Sequence, residues 1–395
     1  MRESFNRYTR EITQADLERL FTRETPEAYW YFARDIDHDA LAALPWFRRW
    51  PRFAKQFFMA FAMRLSPARR ALYGAAVVAA VIGAIELFEG RGVVRGLVGP
   101  FDIRTIAPRW ADGTGWLFVA FALLNLLVMM EVADRLSLKN ELEVARDIQL
   151  AMLPGGTWSD GTASAAGVTR PANTVGGDFY DILPLRDGRV LITLGDVAGK
   201  GSPAALLMAL LLAMMRTLVD EGLEPAPLVR RLNTQILRHS PRSRFITLFA
   251  AAYQPSTGAL EWVNAGHLPP MIRRANGDVE RDGFREGGGL ALGMFEAAEY
   301  ESSAAMLGPG DALVLYSDGL TEAENAAGVP FEDAGVEGVI ARHGVGDPAS
   351  LGRALLRAVE TYAADTRLAD DLTVLSLVRH DVTGPPSGGS AHFGV

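Results

Sequence analysis

Four short acidic motifs carry the chemistry of this chain. They read Gly176-Gly177-Asp178, Gly195-Asp196-Val197-Ala198-Gly199-Lys200-Gly201, Ser317-Asp318-Gly319 and Asp370-Asp371-Leu372-Thr373. Each sets an aspartate beside a glycine or a second aspartate, and three end or adjoin an apolar, strand-like run. Mg²⁺ and Mn²⁺ take oxygen ligands, and Mg²⁺ sites usually keep several waters. Aspartates gathered at strand ends, without histidine or cysteine beside them, therefore imply a Mg/Mn hydrolytic centre. A lone Gly-Asp or Asp-Gly pair is most often a turn, and it is four of them in one domain that argue for ligands. The Asp196 loop is the sharpest. Its glycines let the backbone approach a metal or a phosphate, and it leads into a helix start at Ser202-Pro203, whose free N–H groups favour an anion. It is not a phosphate-binding P-loop, because no Ser or Thr directly follows Lys200. Lys200 itself reads either as a phosphate contact or as a solvated loop lysine.

Composition narrows the alternatives. The chain has 395 residues, room for more than one domain, and no cysteine. That removes disulfides, thiolate-bound zinc and a thiol nucleophile, and it fits a reducing compartment. A formal net charge of −8 speaks against a nucleic-acid partner.

The elements that must position these aspartates follow from the pattern along the chain. Residues 46–70 are basic and aromatic, a composition suited either to a membrane interface or to an ordinary amphipathic helix. Two apolar runs follow, Ala71–Phe88 and Trp116–Met130. With flanking residues each reaches the length of a membrane span, about 20 residues with roughly 17 as the lower limit. Arg64, Arg69 and Arg70 precede the first run, so the positive-inside rule puts the N-terminus in the cytoplasm and two crossings return the chain there. Glu89–Gly115 is then a short outer loop, and the polar N-terminus does not read as a cleavable signal peptide. Residues 131–153 form a charged helix with an apolar stripe at Val132, Leu136, Leu142, Ala145, Ile148 and Met152, ended by Pro154-Gly155-Gly156. Beyond it the pattern alternates. The spacing predicts strands at Val190–Leu194, Ile246–Tyr253, Leu260–Asn264, Pro270–Arg274, Ala312–Tyr316 and Leu372–Val378, with helices at Pro203–Leu218 and Leu351–Ala364. Antiparallel runs broken by helices point to an α+β fold, a two-sheet sandwich rather than a doubly wound parallel sheet.

With these segments in order, the chain resembles the SpoIIE/RsbU-type bacterial branch of the metal-dependent (PPM, type 2C) protein serine/threonine phosphatases. The segments are ELEVARDIQLAMLP (141–154), GGDFYDI (176–182), GDVAGKGSPAALLMA (195–209), FITLFAA (245–251), WVNAGHLPP (262–270), GLALGM (289–294), LGPGDALVLYSDGLTEA (307–323) and DDLTVLSL (370–377). They are numerous, ordered and spread over more than half of the chain. The resemblance implies a PPM-type sandwich of two antiparallel sheets flanked by helices, here preceded by a transmembrane helical hairpin and a linker helix. It implies two Mn²⁺ or Mg²⁺ ions bridged by Asp196, the first also served by Asp178 and the Val197 carbonyl, the second by Asp318 and Asp370. Asp371 stands as the alternative to Asp370. A metal-activated water would attack phosphorus directly. The eukaryotic branch has Asp-Gly-His at the bridging aspartate, whereas this chain has Asp196-Val197-Ala198. That histidine is a candidate general acid, and His267, in Asn264-Ala265-Gly266-His267, reads either as its substitute, in contact with phosphate or substrate, or as a structural residue closing a strand turn. No arginine stands out for phosphate binding. The resemblance also implies a switch involving Ile148, Leu153 and Met208, a homodimer, and a phosphorylated substrate similar to an anti-sigma factor antagonist.

The expected layout is a basic, aromatic cytoplasmic region (1–70), two transmembrane helices with a short outer loop (71–132), a signalling and dimerisation helix (133–155), a phosphatase domain (156–380) and a disordered tail (381–395). The expected location is the inner membrane, with the catalytic domain in the cytoplasm. Two other readings stay open: a membrane scaffold with a weakly active phosphatase-like domain, and a metal hydrolase for a small phosphorylated molecule.

Overall fold

The computed structural model describes residues 45–89, 91–98, 101–108, 110–240, 244–284, 288–344, 346–364, 366, 368–381 and 392–393. The chain divides into two compact units, Met1–Ser137 and Leu138–Val395.

The first unit is helical. Helix α1 (Trp46–Arg64) carries no acid in its first turn and places Phe58 and Phe61 against Tyr73, with ring centroids 5.2 and 5.0 Å apart. Residues 1–44 of the expected N-terminal region lie outside the described residues. Helix α2 (Pro67–Glu89) is followed by a hairpin, β1 (Arg91–Val98) and β2 (Phe101–Pro108), and then by helix α3 (Trp110–Met152). The connection expected as a short outer loop thus contains an antiparallel ladder from Arg91↔Pro108 to Val98↔Phe101. Helices α2 and α3 approach closely at two glycines: a Cβ on Gly83 would lie 2.9 Å from the Gly113 carbonyl oxygen. Small residues at a crossing are how apolar helices pack when lipid, not water, surrounds them. Val78, Val81, Ile85, Phe118, Phe121 and Met129 remain exposed on these helices. Both are long and apolar enough to cross a membrane. At the other end of the helix pair, Arg69 is held by Glu131 at 3.2 Å and Asp134 at 2.6 Å.

The second unit begins within α3, which runs on without a break from the apolar run into the charged segment. There follow β3 (Trp158–Ser159), β4 (Ala163–Arg170), β5 (Phe179–Pro184), β6 (Val190–Val197), α4 (Ser202–Val219), α5 (Pro225–His239), β7 (Ile246–Gln254), β8 (Ala259–Ala265), β9 (Met271–Arg273), β10 (Val279–Glu280), β11 (Ser303–Met306), β12 (Ala312–Tyr316), α6 (Asp318–Glu322), α7 (Glu332–Arg342), α8 (Pro348–Ala363), β13 (Leu372–Arg379) and β14 (His392–Phe393). All ladders are antiparallel. One sheet has the order β10-β9-β12-β13-β4-β3-β14 and the other β11-β8-β7-β6-β5.

The two sheets pack face to face, α4 and α5 cover the five-stranded sheet, and α7 and α8 cover the seven-stranded one. Period-2 alternation shows this directly. In β12, Leu313 and Leu315 point into the core between the sheets, while Val314 and Tyr316 join Val336, Ile340, Leu355 and Val359 under the helices. Strands covered on both faces read as continuous apolar runs. Helix α4 is apolar enough to cross a membrane by composition. Here its Ala204, Leu207, Met208, Leu211, Leu212 and Met215 are core residues, as expected of an apolar helix inside a domain.

Two differences from the sequence reading concern the sheets. The segment expected as the strand after Leu260–Asn264 crosses to the other sheet, where Met271–Arg273 pairs with β12 and β10. The local pattern of a short apolar strand does not encode its partner. Within the tail expected to be disordered, His392 and Phe393 lie opposite Ser159 and Trp158 at a sheet edge, and the other residues after 381 lie outside the described residues. Open backbone groups on a sheet edge accept such a segment readily.

Candidate metal centre

The four acidic motifs arrive at one end of the sandwich from both sheets. Asp178 immediately precedes β5, and Asp196 and Val197 are the last residues of β6, a strand held on both sides by β5 and β7. Asp318 opens α6 directly after β12, and Asp370-Asp371 precede β13. The second pair of loops is stitched together by Ser317. Its N–H donates to the Thr373 carbonyl at 3.0 Å, its hydroxyl donates to the Asp371 carbonyl at 3.1 Å, and it accepts from the Thr373 N–H at 3.0 Å.

The carboxylates act on one another electrostatically. Burial pushes the Asp196 carboxyl up to about 7, helped by the negative charges of Asp318, Asp370 and Asp371. Burial also raises Asp178 well above the usual carboxylate range, with Asp196 the next cause and the hydroxyls of Thr373 and Ser317 a partial offset. Asp318 is raised by burial and by the charges of Glu322 and Asp370. Asp178 Oδ2 is buried with no hydrogen-bond partner. A buried carboxylate oxygen without a donor, beside the charges of Asp196 and Asp371, is stable only with added positive charge or a proton. The same place is a cradle without side chain: a Cβ on Gly177 would lie 2.7 Å from Asp196 Oδ1 and 2.8 Å from the Val197 carbonyl oxygen. Among the described residues no group of three or more His, Cys, Asp or Glu forms a ready-made cage for one ion. Carboxylates and a carbonyl around a shared space suit a hydrated hard cation, which takes one or two carboxylates and completes its shell with water.

The structure separates the two adjacent aspartates. Asp371 is buried, and its oxygens accept from the N–H groups of Ala172 at 2.8 Å and Gly177 at 2.9 Å. Asp370 is the more open, and its Oδ2 lies 2.9 Å from Lys200 Nζ. Lys200, considered as a phosphate contact, is therefore occupied by Asp370 and by the Ala369 carbonyl. His267 is tied into the strand end. Its Nδ1 lies 2.9 Å from Thr247 Oγ1, which accepts from the Asp196 N–H at 3.3 Å, and its own N–H donates to Asn264 Oδ1. Burial lowers its pKa to about 4, so it is neutral at pH 7 and braces the strand carrying Asp196.

The helix face that meets the domain also differs from the expected stripe. Ile148, expected in the switch, is 59% exposed, whereas Gln149 and Leu153 are buried. Gln149 Nε2 donates to the Gly176 carbonyl at 2.9 Å and contacts Met208 Sδ at 3.2 Å, and its Oε1 accepts from the Gly176 N–H at 3.1 Å. Leu142, Arg146, Gln149 and Leu153 follow helical spacing, so they share one face, and Ile148 lies off it. A polar Gln at the buried phase hid that face from a reading by hydrophobicity alone.

Two further contacts were not evident from sequence. Arg244 Nη1 donates to the Ala198 carbonyl at 3.0 Å and braces the loop after Asp196, where Gly199 has φ 103°. Its place just before β7, whose Ile246 pairs with Val197, was the available signal. Arg216 bonds Asp181, which is nearly fully buried, at 2.7 Å, and also the Met152 carbonyl, joining α4, β5 and the end of α3.

Comparisons with known proteins bear on the fold and the activity. Residues 186–380 match the family model for Stage II sporulation protein E (SpoIIE). The phosphoserine phosphatase RsbU of Bacillus subtilis (strain 168) is 28% identical over 242 residues, 61% of this chain and 71% of RsbU. Protein IcfG of Synechocystis sp. is 30% identical over 226 residues, 50% of this chain but only 35% of IcfG. The solved SiaA-PP2C domain of Pseudomonas aeruginosa superposes with a TM-score of 0.55 at 23% identity, covering 63% of this chain and 99% of that one, which establishes the fold. The chain carries a PP2C-type protein phosphatase domain, residues 186–380 of which match the SpoIIE family model.

Proposed function

We propose that this phosphatase works with two Mn²⁺ or Mg²⁺ ions, is held at the inner membrane by α2 and α3, and dephosphorylates a phosphoserine or phosphothreonine protein similar to an anti-sigma factor antagonist. The observation that carries the metal reading is the partnerless, buried Asp178 Oδ2 beside Asp196. In this reading Asp196, Asp178, the Val197 carbonyl, Asp318 and Asp370 would hold the cations. Asp371 is left to hold the loops, since both its oxygens are taken by backbone amides. When bound, the cations lower the pKa of a water and neutralise charge on the phosphoryl group.

The chain's own residues pre-arrange that chemistry. Strands β5 and β6 fix Asp178 and Asp196, Ser317 and Thr373 lock the two loops of the other sheet together, and Arg244 steadies the turn after Val197. The Gln149 amide links α3 to Gly176, two residues before Asp178, which gives the linker helix a direct mechanical connection to the centre. Leu153 and Met208 sit in the same core. Val144 and Ile148 stay exposed on the opposite face of α3 and offer an apolar surface to a second copy of the chain.

The substrate class is supported by likeness to the phosphoserine phosphatase RsbU. The membrane reading is supported by the two apolar helices and the arginines before them, and with the positive-inside rule it has the phosphatase domain on the cytoplasmic side. The test is Mn²⁺-dependent hydrolysis of p-nitrophenyl phosphate and of a phosphoserine protein by the full chain in nanodiscs. Asp196→Asn and Asp318→Asn should abolish both activities, and equal rates in wild type and variants would overturn the reading.

A further inference from the structure

Beside the centre lies an open groove of about 750 Å³, lined by Leu142 and Arg146 of α3, residues 172–175, and Lys200, Gly201 and Ser202 at the start of α4. It adjoins the acidic cluster at two points. Lys200 reaches Asp370, and the N–H of Ala172 donates to Asp371.

Arg146 is the anomaly of this groove. It stands on the Leu142–Gln149–Leu153 face, the face that α3 turns towards the domain. A charge on the inward face of a helix departs from the local rule, and such departures concentrate where function requires them. Arg146 does not pack in the core: it is exposed and opens into the groove. The other cation there, Lys200, is already paired with Asp370. The groove's floor also includes the start of α4, where Gly201 caps the helix without a side-chain hydrogen bond. Arg146 is therefore an exposed cation that lines the groove beside the centre, at a helical phase fixed by α3.

We infer that this groove receives the segment flanking the phosphorylated residue of a protein substrate, and that Arg146 is a specificity-determining residue pairing with an acidic side chain of that segment. The inference rests on the phosphatase reading and adds a recognition rule to it. Because Arg146 sits three residues before Gln149, any movement of α3 that alters the Gly176 contact also moves the substrate-reading guanidinium. A planar guanidinium suits a carboxylate because it can offer two parallel N–H donors.

The experiment uses the full chain in nanodiscs with Mn²⁺ and two phosphoserine peptides that differ only in Glu or Gln at the flanking positions. The wild type should favour the Glu peptide about three- to fivefold in kcat/KM, mainly through KM, the scale of one partly exposed ion pair. Arg146→Ala should bring the ratio to one, Arg146→Glu should invert it, and Arg146→Lys should keep most of it. A structural defect would lower both peptides alike and leave the ratio intact, so an unchanged ratio in Arg146→Glu overturns the inference. Fluorescence anisotropy of the same peptides needs no turnover. Glu-selective binding that depends on Arg146, without hydrolysis, would uphold the groove and remove the phosphatase reading instead.

Discussion

Replacing Gly177 by alanine adds one methyl group where the site has none to spare. The new Cβ would lie 2.7 Å from Asp196 Oδ1 and 2.8 Å from the Val197 carbonyl oxygen. Real Cβ contacts essentially never fall under 3.0 Å, so Asp196 Oδ1 must retreat by about 0.3 Å and the Val197 oxygen by about 0.2 Å, and overpacked contacts relax only partly. Ligand distances in a working metal site hold to within about 0.2 Å, so the shift exceeds the tolerance at Asp196 and reaches it at the Val197 carbonyl. Gly177 does not have a positive φ, so the backbone accepts alanine without strain and the effect is confined to the cradle. The expected result is a half-activating Mn²⁺ concentration raised about tenfold or more and a kcat lowered about tenfold, a fraction of the hundredfold that a 1 Å misplacement can cost. Circular dichroism and the melting temperature should change little. Gly155→Ala, with nothing within 4 Å of its added Cβ, is the matched control. Wild-type Mn²⁺ dependence in Gly177→Ala would refute the convergence of Asp196 and the Val197 carbonyl on a cation.

Three further outcomes follow from the same geometry. Asp196 titrates at about 7 in the folded, metal-free chain against 3.8 ordinarily, so the folded state keeps a proton that the unfolded chain releases. Its stabilising contribution is complete below about pH 4 and lost as pH rises towards 7. Bound Mn²⁺ replaces that proton, so the Mn²⁺-induced rise in Tm should grow between about pH 5 and pH 8, and a pH-independent shift would contradict this. Arg216→Ala leaves the buried Asp181 carboxylate unpaired. Because Arg216 is itself about one-third exposed, denaturant unfolding should show a loss of roughly 2–4 kcal/mol, at or below the range for fully buried pairs. Lys200→Ala removes the cation that competes for Asp370, so calorimetry should show tighter Mn²⁺ binding by about two- to fivefold. Weaker binding would mean that Lys200 assists the metal instead.

Much of the site was legible because its chemistry is local. An aspartate beside a glycine at a strand end can be recognised without the fold, and the strand at Ala312–Tyr316 was bounded by Asp311 and Ser317 as its apolar run suggested. The lack of cysteine and the Ala198 that stands where a histidine was sought are facts of composition. What escaped was set by contacts far apart in sequence. Asp370 and Asp371 are neighbours with the same side chain, and only the amides of Ala172 and Gly177, nearly two hundred residues away, decide which one is spent on the backbone. The stripe on α3 pointed to Ile148 because hydrophobicity reports transfer from water, whereas the buried phase is taken by Gln149, whose amide matches the backbone of Gly176. Met271–Arg273 read as the next strand of one sheet and belongs to the other, since pattern specifies a strand but not its partner. The amino-acid sequence by itself determined which groups could bind a hard cation and which helices are apolar enough for a bilayer. The tertiary structure alone decided which carboxylates meet, how each is satisfied and which face of the linker helix reads the site, because burial and long-range hydrogen bonding are properties of the packed chain.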